Sequence, residues 1–251
     1  MKILAFSFMV LMFSVFGISC DSRTEAEKIV DAAIDAHGGE LYEKTAITFD
    51  FRGTQYSIFK SPTAFEYQRE FTDSTGKVVD VLNNAGFARK VNGVLIDTLI
   101  EERIGAFSRS VNSVAYFAFL PYGLNDAAAI KTYLGETTVK GKAYHLVKVT
   151  FQAAGGGDHF EDEFLYWFGV TDKRMDYMAY SYHTDGGGVR MREVRAAKEV
   201  GGIRFQDYIN LKAASKETRL DSMQYLYEKG ALEKLSEINL ENIQTSPLPK
   251  N

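Results

Sequence analysis

At 251 residues, 45% of them hydrophobic and 13% aromatic with only four prolines, the chain has the composition of one large packed domain and not of a disordered segment. A net charge of −4, from 33 acidic against 29 basic residues, argues against a nucleic-acid partner, which requires a basic face. A single cysteine excludes any disulfide within the chain, so stability has to come from a core that this length can build.

The chain opens with basic Met1-Lys2, an uncharged apolar run from Ile3 to Phe16, then Gly17-Ile18-Ser19-Cys20 and a polar stretch from Asp21 to Lys28. A positive start, an apolar run and small residues at its end are the order of a secretory signal peptide. Ile18 and Ser19 ahead of Cys20 resemble a bacterial lipobox, which implies cleavage after residue 19 and an acyl chain such as palmitate on Cys20. An ordinary secretory peptide and an uncleaved anchor are the alternatives. The expected organisation is a signal peptide at 1–19 and a single lipoprotein domain at 20–251, divided into a tether (20–23), a body (24–243) and a loose tail (244–251). No second apolar stretch approaches the ~20 residues that span a bilayer. The expected location is therefore the cell envelope, lipid-anchored, at the outer membrane facing the periplasm.

Thr24 and Glu27 have capping-box spacing, and Ile29, Val30, Ala33, Ile34 and His37 follow at helical period until Gly38-Gly39 stops them. His37 reads as a helix-end residue, placed where a positive charge is welcome. From Ile47 the period changes to two: Ile47, Phe49 and Phe51 alternate with polar residues, as do Phe65 and Tyr67. Asp73 to Gly76 reads as a turn and Asn92-Gly93 as a hairpin. Glu101 to Phe119 returns to helical spacing, with Ile104, Phe107, Val111, Val114 and Phe117 or Ala118 on one stripe, ended by Pro121 and Gly123. Such a helix, set between strands, is expected to cover a face or mouth of the sheet.

Beyond the Lys140-Gly141 turn, His145, Val147, Val149 and Phe151 share a strand face, and the glycines at 155–157 lead into the acidic run Asp158 to Glu163. Strand signals follow at Phe164 to Phe168, Arg174 to His183, Val189 to Val200 and Ile203 to Lys212. A short helix is expected at Leu220 to Glu228 and a closing strand at Leu232 to Ile243. Consecutive strands with short turns make an antiparallel meander. The predicted fold is α+β, mainly antiparallel: about ten strands in a single curved sheet or an unclosed half-barrel, with helices lidding its concave side.

On a strand, His159, Glu161 and Glu163 share a face, and with His183 they make a candidate cation site, the basis of an alternative reading as a metal-assisted hydrolase. A solvated hairpin loop is the leading reading of the same stretch. His145 and Asp207 fall on apolar strand faces, where each needs a partner. They pair with each other across the sheet or with Arg or Tyr side chains, the leading reading being a satisfied core hydrogen bond, or they meet the polar head of a ligand. The sequence has no Gly-x-Ser-x-Gly elbow and no Ser-x-x-Lys, and neither glycine run continues into a phosphate loop, so no catalytic residue or cofactor is expected.

Ala36-His37-Gly38-Gly39, Asp158-His159 ahead of Phe164-Leu165-Tyr166-Trp167, Met175-Asp176-Tyr177 with Tyr180-Ser181-Tyr182, the run from Gly201 to Tyr208, and Leu232 to Ile243 together resemble a family of uncharacterised bacterial lipoproteins. That family is similar in architecture to the LolA/LolB/LppX group of lipoprotein and lipid carriers. The resemblance implies an unclosed β-barrel whose helix-lidded open side encloses an apolar cavity, and it brings no catalytic residues. The expected function is a cell-envelope lipoprotein that sequesters a lipid or acyl chain. Phe49, Phe51, Phe65, Tyr67, Val147, Val149, Phe151, Phe205 and Ile209 are the expected lining, His145 and Asp207 the polar candidates within it, and Phe107, Val111 and Val114 the expected lid. A structural module that holds unidentified envelope partners through a strand edge is a further class.

Overall fold

A computed structural model describes residues 22–152, 161–183 and 186–248. Helix α1 (Glu25–His37) starts with the capping box: Glu27 N–H donates to the Thr24 hydroxyl at 3.2 Å and Thr24 N–H to the Glu27 carboxylate at 2.7 Å. Its apolar stripe, Ala26, Ile29, Val30, Ala33 and Ile34, is buried. The helix ends at Gly38 with φ 137°, where a Cβ would press on the backbone of Gly202 and Ile203 at 3.2 Å. The short α2 (Leu41–Lys44) follows.

Strands β1 (Thr45–Phe51), β2 (Thr54–Lys60), β3 (Phe65–Asp73), β4 (Gly76–Asn83), β5 (Gly86–Val91) and β6 (Val94–Leu95) form a meander. Helix α3 (Glu101–Ala118) then crosses to a second meander: β7 (Ala129–Val139), β8 (Lys142–Phe151), β9 (Glu163–Gly169), β10 (Met175–Tyr182), β11 (Gly188–Val200) and β12 (Ile203–Lys212). Helix α4 (Met223–Glu228), β13 (Glu233–Ile238) and β14 (Glu241–Pro247) close the chain. Neighbouring strands are antiparallel, in two seven-stranded sheets of order β14-β1-β2-β3-β4-β5-β6 and β13-β12-β11-β10-β9-β8-β7. Among the described residues no pairing joins β6 to β7, so the half-barrel stays unclosed.

The tightest hairpins obey local chemistry. Asn92-Gly93 has φ of 50° and 83°, the paired positive values of a two-residue turn that matches strand twist. Gly201-Gly202 does the same between β11 and β12, and there a Cβ on Gly201 would collide with the Thr245 side chain of β14. That close approach draws the two sheets together.

Three apolar clusters follow from this arrangement. Ile47, Phe49, Tyr56, Ile58 and Tyr67 on the inner face of the first sheet pack against Val111 and Ala115 of α3, with Phe119 and Phe205. Val147, Val149, Tyr166, Phe168 and Met178 on the inner face of the second sheet pack under α1. On the outer face of that sheet, Leu165, Trp167, Tyr177, Met191 and Leu211 pack under Met223 and Tyr227 of α4. The second sheet is thus covered on both faces, which is why Phe164 to Gly169 is buried without alternation.

Among the described residues fourteen strands in two sheets form the expected unclosed half-barrel. Two expectations need correction. Leu232 to Ile243 is two strands, because the chain breaks at Asn239-Leu240 and Leu240 N–H donates to the buried Asp207 carboxylate at 2.9 Å. The polar stretch expected as a loose tail continues β14 to Pro247, paired along β1 from Ile47↔Thr245 to Thr45↔Pro247, because the first sheet needs an edge partner there; residues 249–251 lie outside the described segments.

His37 lies at the end of α1, as expected, yet it is buried, its Nδ1–H donating to the Ala33 carbonyl at 2.7 Å. Burial, reinforced by Arg204 and Arg174, outweighs the favourable helix end and pushes its pKa down to about 4. Below pH 6.5 the unfolded chain takes up a proton that the folded chain refuses until about pH 4. Stability therefore falls across that window as pH is lowered, by roughly 3 kcal/mol from this group. Urea denaturation at pH 7.0 and 4.5 should show the loss, and His37→Gln should flatten the dependence; an unchanged slope in the variant would place the acid sensitivity elsewhere.

Candidate ligand cavity

Helix α3 has two working faces. Val111, Ala115 and Ala118 are buried against the first sheet. Arg109, Asn112, Ser113 and Tyr116, at i, i+3, i+4 and i+7, turn instead to a cavity of about 1100 Å³. The first sheet contributes Tyr67 and Leu82 to its wall, and the second contributes Phe151, Phe164, Tyr180, Tyr182, Arg190 and Arg192.

The aromatic wall is a packed set. Phe164 lies 5.8 Å from Phe151, edge to face, 5.7 Å from Tyr180, stacked, and 5.7 Å from Tyr116. Tyr116 of α3 and Tyr166 of β9 share a 2.6 Å hydroxyl–hydroxyl hydrogen bond, which joins the helix to the second sheet. Burial pushes both phenols above their ordinary range, so both stay protonated and the bond is a neutral one. At the rim, Lys60 on the first sheet donates to both oxygens of Asp126, at 2.6 Å each, ahead of β7. This ion pair ties the end of β2 to the segment that leads into β7.

The first half of α3 is held by charge. Asp80 of β4 is fully buried between Arg69 at 2.7 Å and Arg89 at 2.6 Å. Arg69 also donates to Ser110 of α3 at 2.6 Å, and Arg89 lies 3.6 Å from the centre of the Phe107 ring. Phe107, expected to close over ligand, is thus fastened to the sheet.

Of the expected lining, Tyr67 and Phe151 border the cavity. Phe49, stacked on Tyr56 at 5.4 Å, and Phe205 are solid core of the first cluster, with Phe51, Phe65 and Val114 packed against it and Val111 inside it. Val147 and Val149 lie under α1, and Ile209 faces α4 on the far side of the second sheet. His145 and Asp207 do not meet. His145 lies 3.3 Å from the Tyr133 hydroxyl and 3.9 Å from Glu136, whereas Asp207 is held by Lys198 at 3.1 Å, Arg195 at 3.7 Å and Leu240 N–H. Each has its partners outside the cavity, as a satisfied interior polar group requires.

His159 lies outside the described residues. Glu163 is paired with Lys148 at 2.6 Å, Glu161 is exposed, and His183 sits 3.5 Å from Asp162. Among the described residues no three His, Cys, Asp or Glu side chains come together as a metal site, and no helix is long and apolar enough to cross a membrane. The polar stripe of α3 and the arginines of β11 are the site residues that the sequence reading missed. Their signal was the second helical register at 109, 112, 113 and 116, and Arg190 and Arg192 alternating with buried Val189 and Met191.

A LolA superfamily protein from Nitrosomonas europaea superposes with a TM-score of 0.52 at 10% identity, over 90% of this chain and 96% of its own. A domain from Vibrio parahaemolyticus, described as that of an outer membrane lipoprotein-sorting protein, gives 0.42 at 7% identity over 88% and 93%. A DUF1329 family protein from Desulfovibrio piger gives 0.38 at 10% over 87% and 92%. The first of these likenesses shows the fold, an unclosed half-barrel of LolA type. The pattern of a family of unknown function, DUF6503, matches residues 6–240, and no curated protein matches the chain.

Asp80→Ala leaves two arginines against each other without their carboxylate, and breaking a buried pair in this way costs about 3–5 kcal/mol. Hydrogen exchange should accelerate in 101–118 ahead of α1. Unchanged exchange there would mean that the apolar stripe alone holds the helix.

Proposed function

We propose that this chain, which belongs to the DUF6503 family of unknown function, is a cell-envelope lipoprotein that holds a lipid or acyl chain in the cavity beneath α3. The observation that carries this reading is the cavity itself. At about 1100 Å³ it is large enough for a ligand, with an aromatic wall on one side and polar and charged side chains along much of the rest. Binding is reversible burial of apolar surface, at about 25 cal/mol per Å² removed from water. Helix α3 acts as the lid: its charged contacts at Asp80 keep it on the first sheet, while the single Tyr116–Tyr166 hydrogen bond and the ring contacts of Phe117 are what must yield for entry. The LolA-type fold supports the same reading, since that architecture encloses a helix-lidded space.

Attachment to the membrane, at the outer membrane and facing the periplasm, rests on the lipid expected at Cys20, with 1–19 removed as a signal peptide. Cys20→Ser should move the protein from the membrane to the soluble fraction; continued sedimentation with membranes would refute the lipid anchor.

Native mass spectrometry on the soluble Cys20→Ser protein lacking 1–19, with organic extraction, is expected to find a discrete lipid-sized adduct. Phe151→Asp puts a carboxylate into the aromatic wall and should abolish that adduct while the lipidated protein stays at the membrane. A bare polypeptide mass in the unmutated cavity would count against ligand carriage, and an adduct retained by folded Phe151→Asp would displace the ligand from this wall.

A further inference from the structure

We infer that the ligand in this cavity carries an anionic head and that Arg192 receives it, an inference that rests on the ligand-cavity reading above. Along β11 the side chains alternate: Val189 and Met191 are buried under α4, and Arg190 and Arg192 turn to the cavity. Arg192 is only 7% exposed. Its guanidinium lies 3.6 Å from the centre of the Phe117 ring, and its Nη2–H donates to the Tyr180 hydroxyl at 3.2 Å. Its buried Nε–H has no acceptor among the described residues. No carboxylate among the described residues lies within 4.0 Å of it.

A buried cation without a counter-charge is costly, and buried charges are as a rule paired. Among the described residues, the acids of the lining are engaged elsewhere. Asp126 is gripped by Lys60 through both oxygens. Asp162 lies 3.5 Å from the His183 ring and accepts from its backbone N–H at 3.3 Å. Arg190 differs from Arg192: it donates to the Val189 carbonyl at 2.9 Å and lies over Tyr182, so it already has a local partner.

Phe117 and Tyr180 hold the Arg192 fork in one orientation, which prepares it for a planar or tetrahedral anion. An acyl chain ending in a carboxylate or a phosphate satisfies both halves of the site. Its head pairs with Arg192, and its tail lies along Phe151 and Phe164 towards Tyr67 and Leu82. The stacked rings keep the empty site tolerable, because the ring face offsets part of the guanidinium's desolvation.

Calorimetric titration of the unmutated protein with dodecanoate, dodecyl phosphate and dodecanol tests the head group at constant tail length. Both anions, or one of them, are expected to bind about tenfold or more tightly than the alcohol. A preference for dodecanoate identifies a fatty carboxylate as the ligand class, and a preference for dodecyl phosphate identifies a phospholipid head. Arg192→Met should remove the preference while leaving dodecanol affinity in place, and Arg192→Lys should retain part of it. Equal binding of alcohol and anions by the unmutated protein overturns the inference and leaves the ligand cavity standing, without reliance on any variant folding. Absence of binding by all three overturns both.

Discussion

Because β6 and β7 do not pair, the inner faces of two seven-stranded sheets have to be kept from water by helices and not by closure of a ring. The rest of the molecule is arranged around that open seam. Helix α1 covers the second sheet with a continuous apolar stripe that joins the core beneath it. Helix α3 faces a harder task, since it must cover the first sheet and also reach the second, and a helix of 18 residues cannot fill both surfaces. The volume left over is the cavity.

The two halves of α3 are attached by different chemistry. Near its start, a buried carboxylate between two arginines and a ring under a guanidinium fix the helix to β3, β4 and β5. Near its end, aromatic contacts, the Arg192 guanidinium over Phe117 and a neutral Tyr116–Tyr166 hydrogen bond reach β8 to β11, with no carboxylate among the described contacts. Charged networks of this kind are demanding of geometry because every member must be satisfied. Ring contacts are more forgiving and can be re-made around a bound chain. A helix that is fixed at one end and adaptable at the other suits a cover over a binding space.

Much of the fold was legible from local patterns. The capping box of Thr24 and Glu27, the stop at Gly38-Gly39, the Asn92-Gly93 turn and the short helix ending at Glu228 all depend on neighbours within a few residues, and all stand where the sequence put them. The resemblance to LolA-type carriers is borne out at the level of fold. What escaped detection lay at long range. Leu232 to Ile243 has the composition of one strand, and long-range contacts at the break, from Asp207 to the Leu240 N–H and from Lys198 to the Leu240 carbonyl, divide it between two sheets. Gln244 to Ser246 is too polar to read as a strand, yet the first sheet has an edge that needs it.

The site was less legible than the fold for the same reason. A period of two or of 3.6 residues assigns side chains to a face, and that assignment was sound: Val147, Val149 and Phe151 do share one. Periodicity says nothing of what stands opposite. Val147 and Val149 lie under α1 and are solid core, whereas Phe151, two residues on, passes the reach of that helix and borders the cavity. Arg192 escaped notice because an arginine alternating with apolar residues reads as a solvent-facing position until a second layer covers it. The sequence by itself determined the elements, their caps and turns and the faces that had to be buried, since those depend on local backbone and side-chain preferences. The tertiary structure alone decided which buried face is filled and which is left open, because that depends on how far a helix from one part of the chain extends over strands from another.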